Sequence, residues 1–275
     1  MNDLFNYREG TTLLHRMSGL SKLLGFIFLS FTVMFTYDTR VVIFVLILSG
    51  ILLRISKIRL RDIKLILIYI GIFILINFFL TFLFAPSYGV ELYGTETVWI
   101  DMGRYSITAE QMFYQVTKLL KYFSVIPLGI LFLFTTNPSE FAASLNGLKV
   151  NYKISYALSL TLRYFPETQR EYTMISKAQQ ARGIDISKRV KLRKRIYYAL
   201  SIIVPLIFST LDRVQTITNA MDLRGFAKKK KRTWYEKRPL SRLDWVAIIV
   251  TATIFILSLG ITIYINESRF YNPFI

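Results

Sequence analysis

Two long runs of the chain, residues 65–85 and 245–265, each contain 21 residues and no charged side chain. As α-helices of this length they extend about 31 Å, close to the thickness of the hydrocarbon layer of a bilayer. Each run predicts one membrane-spanning helix, because a helix satisfies its backbone hydrogen bonds internally, as lipid requires.

Three shorter apolar runs complete the membrane pattern. Residues 23–37 and 41–53 are uncharged and separated by a short polar turn, which predicts a tight helical hairpin. An apolar run that ends at residue 137, extended back to about residue 108, predicts a further span with Lys118 and Lys121 on one polar stripe. The pattern therefore predicts five membrane-spanning helices.

Lysine and arginine are distributed unevenly between these spans. Residues 1–22, 54–64 and 135–242 hold 3, 5 and 22 of them, whereas the alternate connecting segments together hold three. Basic segments of membrane proteins remain on the cytoplasmic side. We therefore expect a cytoplasmic N-terminus and a cytoplasmic segment 135–242, with the loop 86–107 and the C-terminus outside.

Composition limits the chemistry that the chain can perform. Of its 275 residues 53% are hydrophobic, yet the formal net charge is +18. There is no Cys and a single His, His15, which excludes disulfides, Cys or His nucleophiles and zinc or iron–sulfur sites. The Gly-x4-Gly-Lys-[Ser/Thr] phosphate loop and the paired Asp motifs of membrane transferases are also missing. We predict a protein that is not an enzyme and has no cofactor or metal.

The segment 135–242 is strongly basic, with 22 basic and 7 acidic side chains. Such an excess favours contact with the anionic headgroups of the lipid bilayer. The basic cluster 228–232 directly precedes the last span, where basic residues are expected on the cytoplasmic side. No recognition-helix or zinc pattern accompanies it, so we expect no binding of nucleic acid.

This basic segment contains one short motif twice. Residues 178–184 and 220–226 share the pattern Ala-x-x-[Ala/Leu]-Arg-Gly followed by Ile or Phe. Each copy ends a helix-compatible run that follows Pro166 or Pro205, and each proline marks a kink or a helix start. Because glycine tolerates the left-handed conformation that ends many helices, each arginine is predicted to be the last side chain of its helix.

The two arginines have two interpretations. The helix dipole favours Arg182 and Arg224 at helix C-termini without any partner. Their repetition at the ends of two long helices, beside the apolar Ile184 and Phe226, favours a pair of anchors for two similar acidic pockets. A planar guanidinium with five donors suits such a directional contact better than a lysine.

The run before the second motif changes character along its length. From residue 196 to 208 nearly every position is apolar, and beyond it the apolar positions narrow to a stripe. A sixth span over 196–211 is an alternative, but this run is short for a span, contains Pro205 and separates the basic clusters 188–195 and 228–232. We expect this helix to start near the membrane and to end in water.

Taken together, these features resemble the transmembrane T component of energy-coupling factor transporters. The duplicated Arg-Gly motif is the most specific element, and residues 14–23, Asn137–Glu140 and Arg163–Pro166 are also similar to family stretches. At residues 18–20 the chain has Ser-Gly-Leu where the family usually has Asp-Pro-Arg. The resemblance spans essentially the whole chain.

The resemblance implies an all-α integral membrane protein of a prokaryotic plasma membrane, with about five transmembrane helices and a cytoplasmic domain of long coupling helices. Residues 1–137 would form the membrane domain and 138–241 the coupling domain, with two long helices ending at the arginines. Residues 242–275 would form the last span and the external C-terminus. Residues 138–147 would form a short first coupling helix.

The resemblance also implies partners. The chain would couple two ABC-type ATPase subunits to a small, separate membrane subunit that binds a vitamin or metal ion. The positions implied for ATPase binding are Ala181, Arg182, Gly183, Leu223, Arg224 and Gly225, and those for the substrate-binding subunit are Ile203, Ile207 and Leu211. The alternative is a permease that itself lines the substrate path, which requires recurrent polar groups inside the spans.

Overall fold

A computed structural model describes residues 10, 12–58, 60–101, 103–184, 190–226, 233–234, 238–266 and 268–274. The basic cluster 228–232 and part of the cluster 188–195 lie outside these residues. The helices are α1 Leu13–Arg16, α2 Gly19–Phe35, α3 Thr39–Ser56, α4 Leu60–Phe84, α5 Tyr88–Tyr93, α6 Ala109–Thr135, α7 Pro138–Gly147, α8 Tyr152–Ala181, α9 Leu192–Leu223 and α10 Arg242–Gly260. Two short antiparallel strands, β1 Val98–Ile100 and β2 Ile107–Thr108, lie between α5 and α6. The predicted all-α membrane fold is confirmed.

Local sequence signals set several of these helix ends. Thr108 accepts a hydrogen bond from the backbone N–H of Gln111 and so caps the start of α6, at the position predicted for that span. Ser241 and Asp244 form a reciprocal capping box at the start of α10. The break between α6 and α7 falls at Asn137, where the following proline removes a backbone donor.

Five described helices are long and apolar enough to cross a membrane, namely α3, α4 from Ile63, α6, α9 and α10 with the turn that follows it. The number agrees with the prediction, but the membership differs. The first predicted span lies in α2, which has only 17 residues and extends about 26 Å. Conversely, α9 continues through Pro205 and has 32 residues. It is therefore long enough to cross a membrane, whereas the predicted run 196–211 was short for a span.

The chain divides into two compact units. Unit 1 comprises residues 1–137 and 238–275, and unit 2 comprises residues 138–237. In unit 1, α6 packs against α3 and α2, and α10 packs against α2. Their shared core contains Leu29, Val33, Val45 and Leu128, with Ile254 of α10 against it. The short α2 is therefore an integral part of the membrane-spanning unit.

One end of unit 1 is held together by buried polar groups. The Asp244 carboxylate accepts hydrogen bonds from the Ser18 backbone N–H at 2.8 Å and the Ser21 hydroxyl at 2.6 Å. The Lys22 ammonium donates to the carbonyl of Thr135 at 2.7 Å. The starts of α2 and α10 and the end of α6 thus lie at the same end of the unit.

The opposite end joins the α2–α3 turn to the C-terminal tail. The buried Asp38 carboxylate accepts hydrogen bonds from Arg40 at 2.8 Å and from the Asn266 amide at 2.9 Å. Burial by itself raises the pKa of Asp38, but these hydrogen bonds outweigh it and hold the pKa below its usual value. The backbone of Tyr37 also donates to the carbonyl of Arg269 at 2.7 Å. The α2–α3 turn therefore lies at the same end of unit 1 as the C-terminal tail, which is predicted to be outside.

Unit 2 consists of α7, α8 and α9, and its two long helices run antiparallel. The Gln179 amide donates to the carbonyl of Ser201 at 3.2 Å, whereas the ring of Tyr156, near the start of α8, packs on Phe226 beyond the end of α9. The helices have 30 and 32 residues, with Pro166 and Pro205 inside them. The prediction that a helix starts at each proline is therefore wrong. Contacts between α8 and α9 on both sides of each proline keep the two helices continuous.

Candidate functional site

The two Arg-Gly motifs have nearly the same backbone conformation. Arg182 has φ −83° and ψ 7°, and Arg224 has φ −81° and ψ 6°. The glycines that follow, Gly183 and Gly225, have φ of +87° and +62°, in the left-handed region predicted for them. The sequence repeat is therefore also a structural repeat.

Hydrogen bonds close both helix ends in the same way. In the first motif Gly183 N–H donates to Gln180 at 3.0 Å and Ile184 N–H donates to Gln179 at 3.1 Å. The corresponding distances in the second motif are 2.9 and 3.0 Å. This is the complete Schellman pattern, in which backbone N–H groups beyond the helix bond to carbonyls of its last turn. The arginine side chains are not needed as caps, and both are exposed.

The antiparallel pairing places the two motifs at opposite ends of the helix pair. Gln179 contacts Ser201, and the helices are antiparallel, so Arg182 lies beside about residue 198 of α9. About 26 residues of α9 then separate this level from Arg224. At 1.5 Å per residue the two arginines are about 39 Å apart. Such a distance suits two separate partner surfaces and excludes one shared pocket.

The residues beside the arginines are accessible in both motifs. Leu223, which replaces alanine in the second copy, is 91% exposed. Ala181 and Gly183 are exposed as well, whereas Gly225 is partly buried. Single exposed apolar side chains are common on protein surfaces, so this exposure shows only that a partner can reach Leu223.

A polar cluster fixes the middle of the helix pair. The Arg213 guanidinium lies 2.7 Å from a Glu171 carboxylate oxygen, and the Ser209 hydroxyl donates to the same carboxylate. These partly buried contacts set the register between α8 and α9. The cluster is not among the predicted sites, since its charged partners belong to different helices and no local sequence pattern relates them.

The three apolar positions expected to bind the substrate-binding subunit share one face of α9. Ile203, Ile207 and Leu211 follow each other at helical spacing and are 42%, 50% and 57% exposed. Ile202, on the face toward α8, is only 1% exposed. The α9 stripe, defined as Ile196, Leu200, Ile203, Ile207, Leu211 and Val214, is therefore a surface feature and not part of the core of unit 2.

Within the described ranges no three His, Asp or Glu side chains converge to hold a metal ion. What the helix pair presents is two exposed guanidinium groups at its ends and an exposed apolar stripe along α9. Exposed guanidinium groups and exposed apolar stripes are features that acidic and apolar partner surfaces can cover.

Several curated proteins are similar to this chain. It is 28% identical over 233 residues to an energy-coupling factor transporter transmembrane protein EcfT from Exiguobacterium sibiricum, covering 82% of this chain and 85% of the relative. It is 27% identical over 273 residues to an EcfT from Streptococcus equi subsp. equi, covering 96% of both. It is also 28% identical over 267 residues to a putative ABC transporter ATP-binding protein from Bifidobacterium longum, covering 92% of this chain but 31% of that longer protein.

The model of one protein family matches residues 10–235, which is most of the chain. The family is CbiQ, described as cobalt transport protein. The match contains α2 to α9 and both Arg-Gly motifs. The protein therefore belongs to the CbiQ family and is a transmembrane component of energy-coupling factor transporters, as its sequence predicts.

Proposed function

We propose that this protein is the coupling subunit of an energy-coupling factor ABC uptake transporter. It transmits the ATP-driven motion of two ATPase subunits to a separate membrane subunit that binds the substrate. The observation that carries this proposal is the structural repeat: two Arg-Gly helix ends with the same hydrogen bonds, exposed at opposite ends of one helix pair. A repeat of this kind suits two similar partners.

Arg182 and Arg224 are the proposed anchors for the ATPases, with their flanking motif residues around them. Each guanidinium reaches an acidic groove and forms charge-assisted hydrogen bonds there. The relative from Bifidobacterium longum supports ATP-binding partners, because its name is that of an ATP-binding protein and a region like this chain forms 31% of it.

The α9 stripe is the proposed contact for the substrate-binding subunit, a small membrane protein with an apolar face. The alternative, a permease that lines the substrate path itself, has less support. Two polar side chains that α6 buries bond to α3 within unit 1: the Ser124 hydroxyl donates to the carbonyl of Val42 at 3.1 Å, and the Thr117 hydroxyl bonds that of Thr39 at 2.9 Å. Such bonds hold helices together.

Unit 2 and the N-terminus are proposed to be cytoplasmic and the C-terminus external, in a prokaryotic plasma membrane. The exposed basic residues Lys191 and Arg193 at the start of α9 favour this side. In this Cys-free chain, a cysteine at the exposed Thr233 should react with an impermeant thiol reagent only in inverted vesicles, and one at the exposed Glu96 only in intact cells. Reaction of Thr233→Cys in intact cells would reverse the orientation.

Purification of the tagged protein from its native membrane tests the proposal directly. We expect two ATP-binding subunits and one small membrane protein to co-purify, and the complex to hydrolyse ATP. A preparation that transports substrate in vesicles with no second membrane protein would favour the permease instead.

A further inference from the structure

Four aromatic side chains cluster where the start of α8 meets the end of α9. Phe226 lies with its ring centroid 4.4 Å from that of Tyr156 and 5.8 Å from that of Tyr152. Trp234 lies 5.3 Å from Tyr152 and 6.3 Å from Tyr156. Tyr152 and Tyr156 are one turn apart in the first turns of α8, so they form one surface for both rings. The end of α9 is thereby packed onto the start of α8.

Asn146 connects this cluster to α7. Its amide oxygen accepts a hydrogen bond from the Trp234 indole at 3.0 Å, and its amide nitrogen donates to the carbonyl of Val150 at 3.0 Å. One side chain thus joins the end of α7, the loop before α8 and the segment after α9. We name this cluster the aromatic latch; it consists of Tyr152, Tyr156, Phe226, Trp234 and Asn146.

The other motif has a different side chain at the equivalent place. Ile184 follows Gly183 as Phe226 follows Gly225, and in both motifs this residue's N–H closes the helix end. An aliphatic isoleucine has no ring to stack, and the start of α9 beside it carries exposed side chains such as Tyr197 and Leu192. The two motifs therefore share a backbone but differ in how they are attached to unit 2.

We propose that the aromatic latch positions Arg224 relative to α7 and α8, so that the two arginine anchors are mechanically different. Motion of a partner bound at Arg224 is transmitted through the latch to α7. Motion of a partner bound at Arg182 reaches the helix pair at its opposite end, away from the latch. This inference rests on the proposed function only in assigning ATPases to the arginines. The latch itself is a property of unit 2.

Distance measurements between spin labels test the latch without any partner. The chain has no native Cys, so label pairs are introduced at Leu148 and Leu223 across the latch, and at Ala178 and Tyr197 at the other end. In the full-length protein, Phe226→Ala is expected to broaden the 148–223 distance distribution and to leave the 178–197 distribution unchanged. Phe226→Tyr keeps an aromatic ring at this position and is expected to keep the 148–223 distribution narrow.

Two further variants keep the test decisive. Ile184→Ala is the matched truncation and is expected to leave the 148–223 distribution narrow. Trp234→Phe removes the hydrogen bond to Asn146 and shortens the ring that packs on Tyr152 and Tyr156, and it serves if Phe226→Ala does not elute as a folded protein. A 148–223 distribution that stays narrow in folded Phe226→Ala or Trp234→Phe protein overturns the latch.

Measurements of ATPase binding then test the positioning role of the latch separately from the proposed function. Since ring contacts of this kind contribute modestly beyond their buried area, Phe226→Ala is expected to weaken ATPase binding about three- to tenfold, and Ile184→Ala to weaken it less. Unchanged ATPase binding in Phe226→Ala, with the distribution broadened, overturns the positioning role. If Arg224→Glu leaves ATPase binding intact, the proposed function fails, whereas the label distances still judge the latch.

Discussion

Replacing Arg182 and Arg224 together by glutamate is expected to release both ATPase subunits and to abolish ATP hydrolysis by the complex. Each substitution removes a charge-assisted donor and places a negative charge against an acidic groove, which costs about 2–5 kcal/mol at each site. Since about 1.4 kcal/mol corresponds to a tenfold change in affinity, each single substitution is expected to weaken binding at least tenfold. Quantitative pull-down of each ATPase, together with the hydrolysis rate, measures both effects.

Charge reversal elsewhere on α8 provides the control. Arg170 is exposed on the same helix and outside both motifs, so Arg170→Glu should retain both ATPases. Because Arg182 and Arg224 are about 39 Å apart by helix rise, their effects on binding free energy should add. A double variant that keeps wild-type ATPase binding would show that the arginines serve the helix dipole only.

A glutamate at Ile207 is expected to release the substrate-binding membrane subunit while both ATPases remain bound. Ile207 is half exposed in the middle of the α9 stripe, and a carboxylate pressed against an apolar partner costs several kcal/mol of desolvation. Pull-down of each partner from detergent extracts separates the two contacts. Residue 207 is about 26 Å from Arg224 along the helix, which keeps the ATPase site unaffected.

The matched control for this substitution is Gln215→Glu, at an exposed polar position of the same helix. It adds the same charge outside the α9 stripe and should retain every partner. If Ile207→Glu loses the ATPases and retains the membrane subunit, the α9 stripe binds the ATPases and not the substrate-binding subunit. Binding of all partners as in the wild type would leave the α9 stripe without a role in assembly.

The α9 helix illustrates why prediction of the spans was incomplete. Hydropathy and charge describe each segment by itself, and by that measure the apolar run 196–211 is short for a span and is interrupted by Pro205. In the structure the contacts of Gln179 with Ser201 and of Glu171 with Arg213 support α9 on both sides of the proline. These contacts offset the single backbone hydrogen bond that proline removes.

Features that depend only on neighbouring residues could be predicted from the sequence. The uncharged run 65–85 forms a long helix, and the glycines of both motifs take the left-handed conformation because only a residue without Cβ adopts it without strain. The spacing of Ile203, Ile207 and Leu211 likewise placed them on one face of α9. Each of these follows from local backbone geometry within a few turns.

The arrangement of the two motifs, by contrast, is a consequence of helix packing. Their separation by the length of a helix pair depends on the antiparallel packing of α8 on α9, which also brings Glu171 to Arg213. The attachment of Phe226 to Tyr156 likewise joins the end of one long helix to the start of the other. Such contacts depend on which helix faces pack together, and the periodicity of one helix does not specify the face of its neighbour.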